Sequence, residues 1–214
     1  MEFLKKEWKL LLLLAGTFVV AAVVYPRMPD QVPIHWNVKG EVDNYGSRLF
    51  GTFFLPVLNA FLYVLLLVTP KIDPKRGNYE KFQGSYDFIR YLIHVFMIFI
   101  FALTVSYSLG YEIDISSWVP AGVSVLMILM GNTIGRVRHN YFVGFKVPWT
   151  LANEEVWRRT HLVGAKAMVV GGVLALITSF AVEGTLKMVL FLVFILGSNV
   201  FTLIYSYVIY RRLS

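Results

Sequence analysis

The 214 residues include no cysteine, which excludes disulfides, thiol nucleophiles and zinc–thiolate sites. Charge is scarce as well. Only 15% of residues are Asp, Glu, Lys or Arg, against about a quarter in soluble domains. Acidic side chains are the rarer sign, 13 against 20 basic ones, for a net charge of +7. In a soluble chain that excess would suggest nucleic acid. In a membrane chain the position of the charges matters more than their sum, and no direct nucleic-acid contact is expected. Also missing are a carboxylate-rich metal site, a Ser-His-Asp arrangement and a phosphate-cradling glycine loop, so the expectation is no cofactor, no metal and no catalytic residue.

What the chain has is apolar length. It is 57% hydrophobic and 16% aromatic, with a mean hydropathy of +0.63. A helix crossing a bilayer needs roughly 20 mainly apolar residues, and six stretches qualify, at about 8–25, 49–69, 88–109, 118–134, 162–182 and 186–210. The first is read as an uncleaved anchor, because Val23-Val24-Tyr25-Pro26 offers no small-residue cleavage site. The expected fold is all-α, a polytopic membrane bundle of about six helices forming one integral membrane domain over residues 1–214. A five-span alternative, weakest at the fourth and fifth stretches, would put the C-terminus outside.

The positions of Lys and Arg set the orientation. With the N-terminus inside, the inner segments hold 16 of the 20 basic residues, Lys5, Lys6 and Lys9 among them. The outer segments hold Arg27, Lys39, Arg48 and Lys187. The positive-inside rule predicts this asymmetry, so both termini are expected in the cytoplasm of a cell whose plasma membrane the chain crosses. Among the polar residues within the spans, Asn59, His94 and Asn199 stand out. Asn59 and Asn199 are expected to bond between helices, and His94 to be solvated from the inner face near Arg90. No ladder of charges marks a channel or transporter.

Two loops are long enough to carry function. The outer one, 26–48, contains Pro29 and Pro33, which bias their predecessors to extended backbone. A short strand-like stretch is expected at Ile34-His35-Trp36, with turns at Lys39-Gly40 and Asn44-Tyr45-Gly46. Trp36 and Tyr45 are expected to pack the loop. His35, Glu41 and Asp43 match no established metal spacing. The inner connection at 70–87 is punctuated by Pro70, Pro74, Gly77, Asn78 and Gly84 and reads as a solvated connector.

The inner loop, 135–161, is denser in special residues. Asn132 stands near the inner end of the fourth span, facing protein or water, and Arg136 and Arg138 follow at headgroup depth. Residues 140–146 alternate as a β-prone segment that includes Asn140, Tyr141, Gly144 and Lys146 and ends at Pro148. Thr150 or Asn153 can cap a helix whose first turn holds Glu154 and Glu155. Glu154–Arg158 and Glu155–Arg159 are i,i+4 pairs in the favourable order. With Trp157 they suggest a helix lying in the interface before the fifth span. Trp149, Trp157, Thr160 and His161 exceed what a mere connector needs. His161 at headgroup depth also keeps open an enzyme or carrier acting on lipid or phosphate headgroups.

In this order, the two loops resemble those of the SdpI family of bacterial membrane proteins. The outer likeness rests on Pro33-Ile34-His35-Trp36, Gly40, Asp43, Tyr45-Gly46 and Arg48. The inner one rests on Gly131-Asn132, Asn140-Tyr141-Phe142, Gly144, Pro148-Trp149-Thr150-Leu151, Val156-Trp157 and Thr160-His161. Lys146-Val147 stands where Arg-Thr is expected and Leu162 where a basic residue is common. The resemblance implies a non-enzymatic role: immunity to a secreted, membrane-active toxin peptide and, in the best-known type, sequestration of a cytoplasmic winged-helix repressor at the membrane. It points to His35, Trp36, Gly40, Asp43, Tyr45 and Arg48 as the outer recognition set. For a partner on the inner side it points to Asn132, Arg136, Arg138, Asn140, Tyr141, Gly144, Lys146, Pro148, Trp149, Thr150, Trp157, Arg158, Thr160 and His161. Membrane lipids, a toxin peptide and a repressor are the partners so implied.

Overall fold

The computed structural model describes residues 2–213, with side chains from Glu7 onward. The side chains of Lys5 and Lys6, counted above among the inner charges, lie outside the described residues. Seven α-helices and one two-stranded sheet are present among them: α1 Glu2–Val24, β1 Gln31–Trp36, β2 Val42–Ser47, α2 Arg48–Ile72, α3 Gln83–Ser108, α4 Ile115–Ile134, α5 Pro148–Ala152, α6 Glu154–Ala181 and α7 Gly184–Leu213. All but α5 are long and apolar enough to cross a bilayer. The chain is therefore a multi-pass, all-α membrane protein with a small hairpin.

Polar side chains inside these helices bond mostly to their own helix. The hydroxyls of Thr17, Thr52, Thr104, Thr133 and Ser179 each donate to the carbonyl four residues back, at 2.7–3.0 Å. In hydrocarbon every donor needs such a partner. Asn199 does the same, donating to the carbonyl of Ile195 at 2.7 Å, so the expected bond to another helix is not made. His94 also departs from expectation. It is fully buried rather than solvated; its Nδ1 lies 2.6 Å from Asn59 Oδ1, and Asn59 Nδ2 donates back to the His94 carbonyl. Asn59 is thus the interhelical bonder it was expected to be.

The contacts fall into two compact units. The first comprises residues 1–65 and 93–119 and holds the outer hairpin. Its core is Ala21, Met28, Val32, Phe101 and Val105. Val32 lies so close to α2 that a Cβ on Gly51 would stand 2.3 Å from it, so only glycine lets β1 settle there. Strand β1 covers the expected extended stretch, and Gly40 takes the expected turn conformation at φ +80°. Asn44-Tyr45-Gly46, expected as a turn, is instead part of β2, with Asn44 opposite His35 and Tyr45 opposite Pro33. Pairing with β1 supplies ladder bonds that local turn propensity cannot match.

The second unit comprises residues 66–92 and 120–214 and holds the inner loop. Its α6 and α7 form a closely packed antiparallel pair. A Cβ on Gly171 would approach the Phe194 carbonyl to 2.7 Å, so backbone meets backbone there. The helix expected to lie in the interface is not separate: residues 154–161 are the first two turns of α6. Asn153 caps them, its Oδ1 accepting from the amides of Glu155 and Val156.

Candidate functional site: the inner motif loop and the outer hairpin

Between α4 and α6 the chain folds around Asn140, which is fully buried. Its Nδ2 donates to the carbonyls of Arg138 and Val143 at 2.8 and 2.9 Å, and its Oδ1 accepts from the amides of Phe142 and Val143 at 2.8 and 2.7 Å. All the hydrogen-bonding capacity of one amide is spent on its own loop. Gly144 follows at φ +130°, where a Cβ would sit 2.2 Å from His161 Nε2. The loop then presents the Phe145 amide to that same nitrogen at 3.0 Å, while His161 Nδ1 donates to the Trp157 carbonyl at 2.8 Å. A ring that accepts at Nε2 and donates at Nδ1 is neutral. It has no nitrogen left to serve as a base, so the chemistry that His161 kept open for a headgroup enzyme has no free group here.

The rest of the pattern builds the same frame. Trp157 is buried, stacks on His161 at 4.0 Å between ring centroids, and donates its indole N–H to the Val137 carbonyl at 3.0 Å. Thr150 accepts from the Val147 amide and lies 2.7 Å from the Phe145 carbonyl, closing the turn into α5, which Pro148 starts. Trp149 reaches α7, donating to Ser206 Oγ at 2.8 Å and packing edge-on against Tyr207. Thr160 is buried.

A different group faces outward. Asn132, Arg136, Arg138, Tyr141, Lys146, Pro148 and Arg158 are exposed. Arg158 is held by Glu155 through two 2.7 Å bonds, and Glu155 also takes Arg159 at 2.6 Å. The expected Glu155–Arg159 pair is thus formed, whereas Glu154–Arg158 is not among the described residues, since Glu154 turns towards His139 and Lys75 at 3.6 and 4.0 Å. Lys146 Nζ donates to the Phe142 carbonyl. Arg136 and Arg138 make no ion pair among the described residues and offer their guanidinium groups to whatever lies outside.

The connector at 70–87 is not a solvated linker. Asp73 is buried; its Oδ1 accepts from the Lys75 amide, and its Oδ2 accepts from Tyr79 OH and from the Tyr141 amide, each at 2.9 Å. Asn78 Nδ2 donates to the His139 carbonyl at 2.8 Å. His139 itself is buried against Trp157, 5.1 Å between ring centroids. Sequence reasoning missed Asp73, Asn78, Tyr79 and His139. The Asp73-Pro74 step signals a turn, and the Asp73–Lys75 bond makes one. Nothing local signals a partner 68 residues away.

The outer hairpin is more open. His35 and Asp43 are both exposed and lie 2.5 Å apart across the strands. Glu41 is not part of that pair, because its Oε2 accepts from Asn37 Nδ2. Arg48 closes the base of the hairpin on Asp30 at 2.7 Å. Trp36 packs edge-on against Tyr107, 5.5 Å between centroids, whereas Tyr45 is 51% exposed and packs little. Gly40 lets the turn approach Ser116, whose Cβ would be 2.8 Å from an added Cβ. No group of three or more His, Cys, Asp or Glu gathers among the described residues.

Comparison with known proteins matches these two regions separately. Residues 136–206, the motif loop with α6 and most of α7, match the SdpI/YfhL protein family. The resemblance to the SdpI family is shown. The likeness extends along the chain: Immunity protein SdpI of Bacillus subtilis (strain 168) is 24% identical over 212 residues, covering 99% of both chains. Residues 12–60, which include the hairpin, match a domain of unknown function, DUF1648. A membrane protein of the same organism, the uncharacterized YbgB, is 44% identical over 43 residues, 20% of this chain and 47% of its own length. No solved structure matches. The SdpI-family match thus begins at Arg136, where the chain turns out of α4 into the loop built on Asn140.

Proposed function

We propose that this chain is an immunity protein of the SdpI type, protecting a cell against a secreted, membrane-active toxin peptide without catalysing a reaction. The observation that carries the reading is the likeness to an immunity protein over 99% of both chains. The outer hairpin, with His35, Asp43 and Tyr45 exposed, is the surface that meets toxin. The inner surface of Arg136 and Arg138, held by the Asn140 and His161 frame, takes a cytoplasmic partner of winged-helix repressor type. On this reading both termini lie in the cytoplasm, the orientation that the Lys/Arg asymmetry favours. For toxin binding to reach the inner surface, the toxin must prefer one of two conformations, since equal affinity shifts nothing.

Expression in a toxin-sensitive strain lacking its own immunity protein tests this. Survival under challenge should rise, and Arg138→Ala should insert normally yet lose recruitment of the repressor to the membrane. Unchanged killing sinks the immunity reading. Unchanged repressor localisation in Arg138→Ala removes that residue from the partner surface.

A further inference from the structure

The α6–α7 pair has a second feature that the immunity reading does not use. An open groove of about 550 Å³ runs between the two helices, lined by Ala167, Val170, Gly171, Val193, Gly197 and Phe201, with Lys166 as its single charged residue. Gly197 keeps it open, since an added Cβ there would meet nothing within 4 Å. Lys166 is exposed and has no ion-pair partner among the described residues. An ammonium left alone on an apolar span is costly in hydrocarbon.

The position of Lys166 suggests what relieves that cost. Trp149, just before α6, bonds Ser206 near the end of α7, so α6 begins on the side where α7 ends with exposed Arg211 and Arg212. Lys166 lies seven residues beyond Arg159, about 10 Å of helix rise. Helical side chains lean towards their own N-terminus. A lysine stem that follows this lean can carry its ammonium back towards the phosphate level.

We propose that this groove is a binding site for one anionic phospholipid of the surrounding leaflet, with its acyl chains in the apolar slot and its phosphodiester against Lys166. Charge argues for the anionic class. Glu155 already engages Arg158 and Arg159, whereas Lys166 is the one charge on the groove lining and no acidic residue lines it, a setting that the cationic head of a zwitterionic lipid would not suit. A second copy packed face to face would bring Lys166 against its twin. A purely apolar helix would fill the slot but leave the ammonium unpaired.

The full-length protein, reconstituted in nanodiscs of phosphatidylglycerol or phosphatidylcholine, provides the test, with lipid retained after a detergent wash counted by mass spectrometry. Phosphatidylglycerol should be retained over phosphatidylcholine. Lys166→Gln should lower that preference about fivefold, Lys166→Arg should keep it, and Gly197→Leu should reduce retention with the lysine intact. Equal retention of the two lipids overturns the proposal, as does wild-type retention in both Lys166→Gln and Gly197→Leu. Disulfide-linked dimers of Gly197→Cys in the phosphatidylglycerol discs would assign the groove to a second copy and overturn it as well. None of these readouts depends on the toxin.

Discussion

The outer hairpin and the inner loop both carry short, dense residue patterns, but the two hold them in opposite ways. In the hairpin His35, Asp43 and Tyr45 face outward, while Val32 and Pro33 are buried and Trp36 is half-buried. In the inner loop Asn140, Thr150, Trp157, Thr160 and His161 are buried, and the outward residues include Arg136 and Arg138, which make no ion pair among the described residues. A pattern of the first kind can act by direct contact. In the second the buried residues hold a backbone in place and leave contact with a partner to the exposed ones.

The sharpest test of that difference is Gly144→Ala. The added Cβ meets His161 at 2.2 Å in a left-handed backbone, and a loss of about 3 kcal/mol or more is expected, read as a lower thermal midpoint in detergent. If Gly144→Ala unfolds no earlier than a hairpin variant, the inner loop is not a frame. Asn140→Ala should follow, at about 2–3 kcal/mol, because it strands buried carbonyls and amides. Asp73→Ala should cost about 1–3 kcal/mol by freeing the Tyr141 amide and Tyr79 hydroxyl; a midpoint equal to wild type would return residues 70–87 to the status of connector. Trp149→Phe loses one bond to Ser206 and should cost about 1 kcal/mol. His35→Ala should move stability within about 0.5 kcal/mol yet reduce survival under toxin. Full survival would leave the exposed hairpin without the role proposed for it.

These expectations rest on structure that was only partly legible beforehand. Hydrophobic runs located the six spans, because a bilayer demands about 20 apolar residues whatever the neighbours are. Asn153 was legible as a cap, since capping is a local matter of two or three residues. The pairing of Glu155 with both Arg158 and Arg159 was half legible: spacing allowed two separate pairs, and one carboxylate took both arginines. Asn44-Tyr45-Gly46 misled because turn propensity is local, while the bonds that make it a strand come from β1. His94 misled because its nearest charge in sequence is Arg90, while Asn59, 35 residues away, binds it.

The sequence by itself determined the class of molecule: six spans, one orientation favoured by its basic residues, two loops of consequence and a family likeness at named positions. Those properties follow from composition and spacing along the chain, which solvent and bilayer read directly. The division of labour within the inner motif was decided by tertiary structure alone. Whether Asn140, Trp157 and His161 touch a partner or hold a frame depends on which atoms stand opposite them, and those atoms come from residues 137, 138, 142, 143, 145 and 157. Asp73 makes the same point over a longer distance. It reads as a turn until the Tyr141 amide, which needs an acceptor once buried, is brought to it.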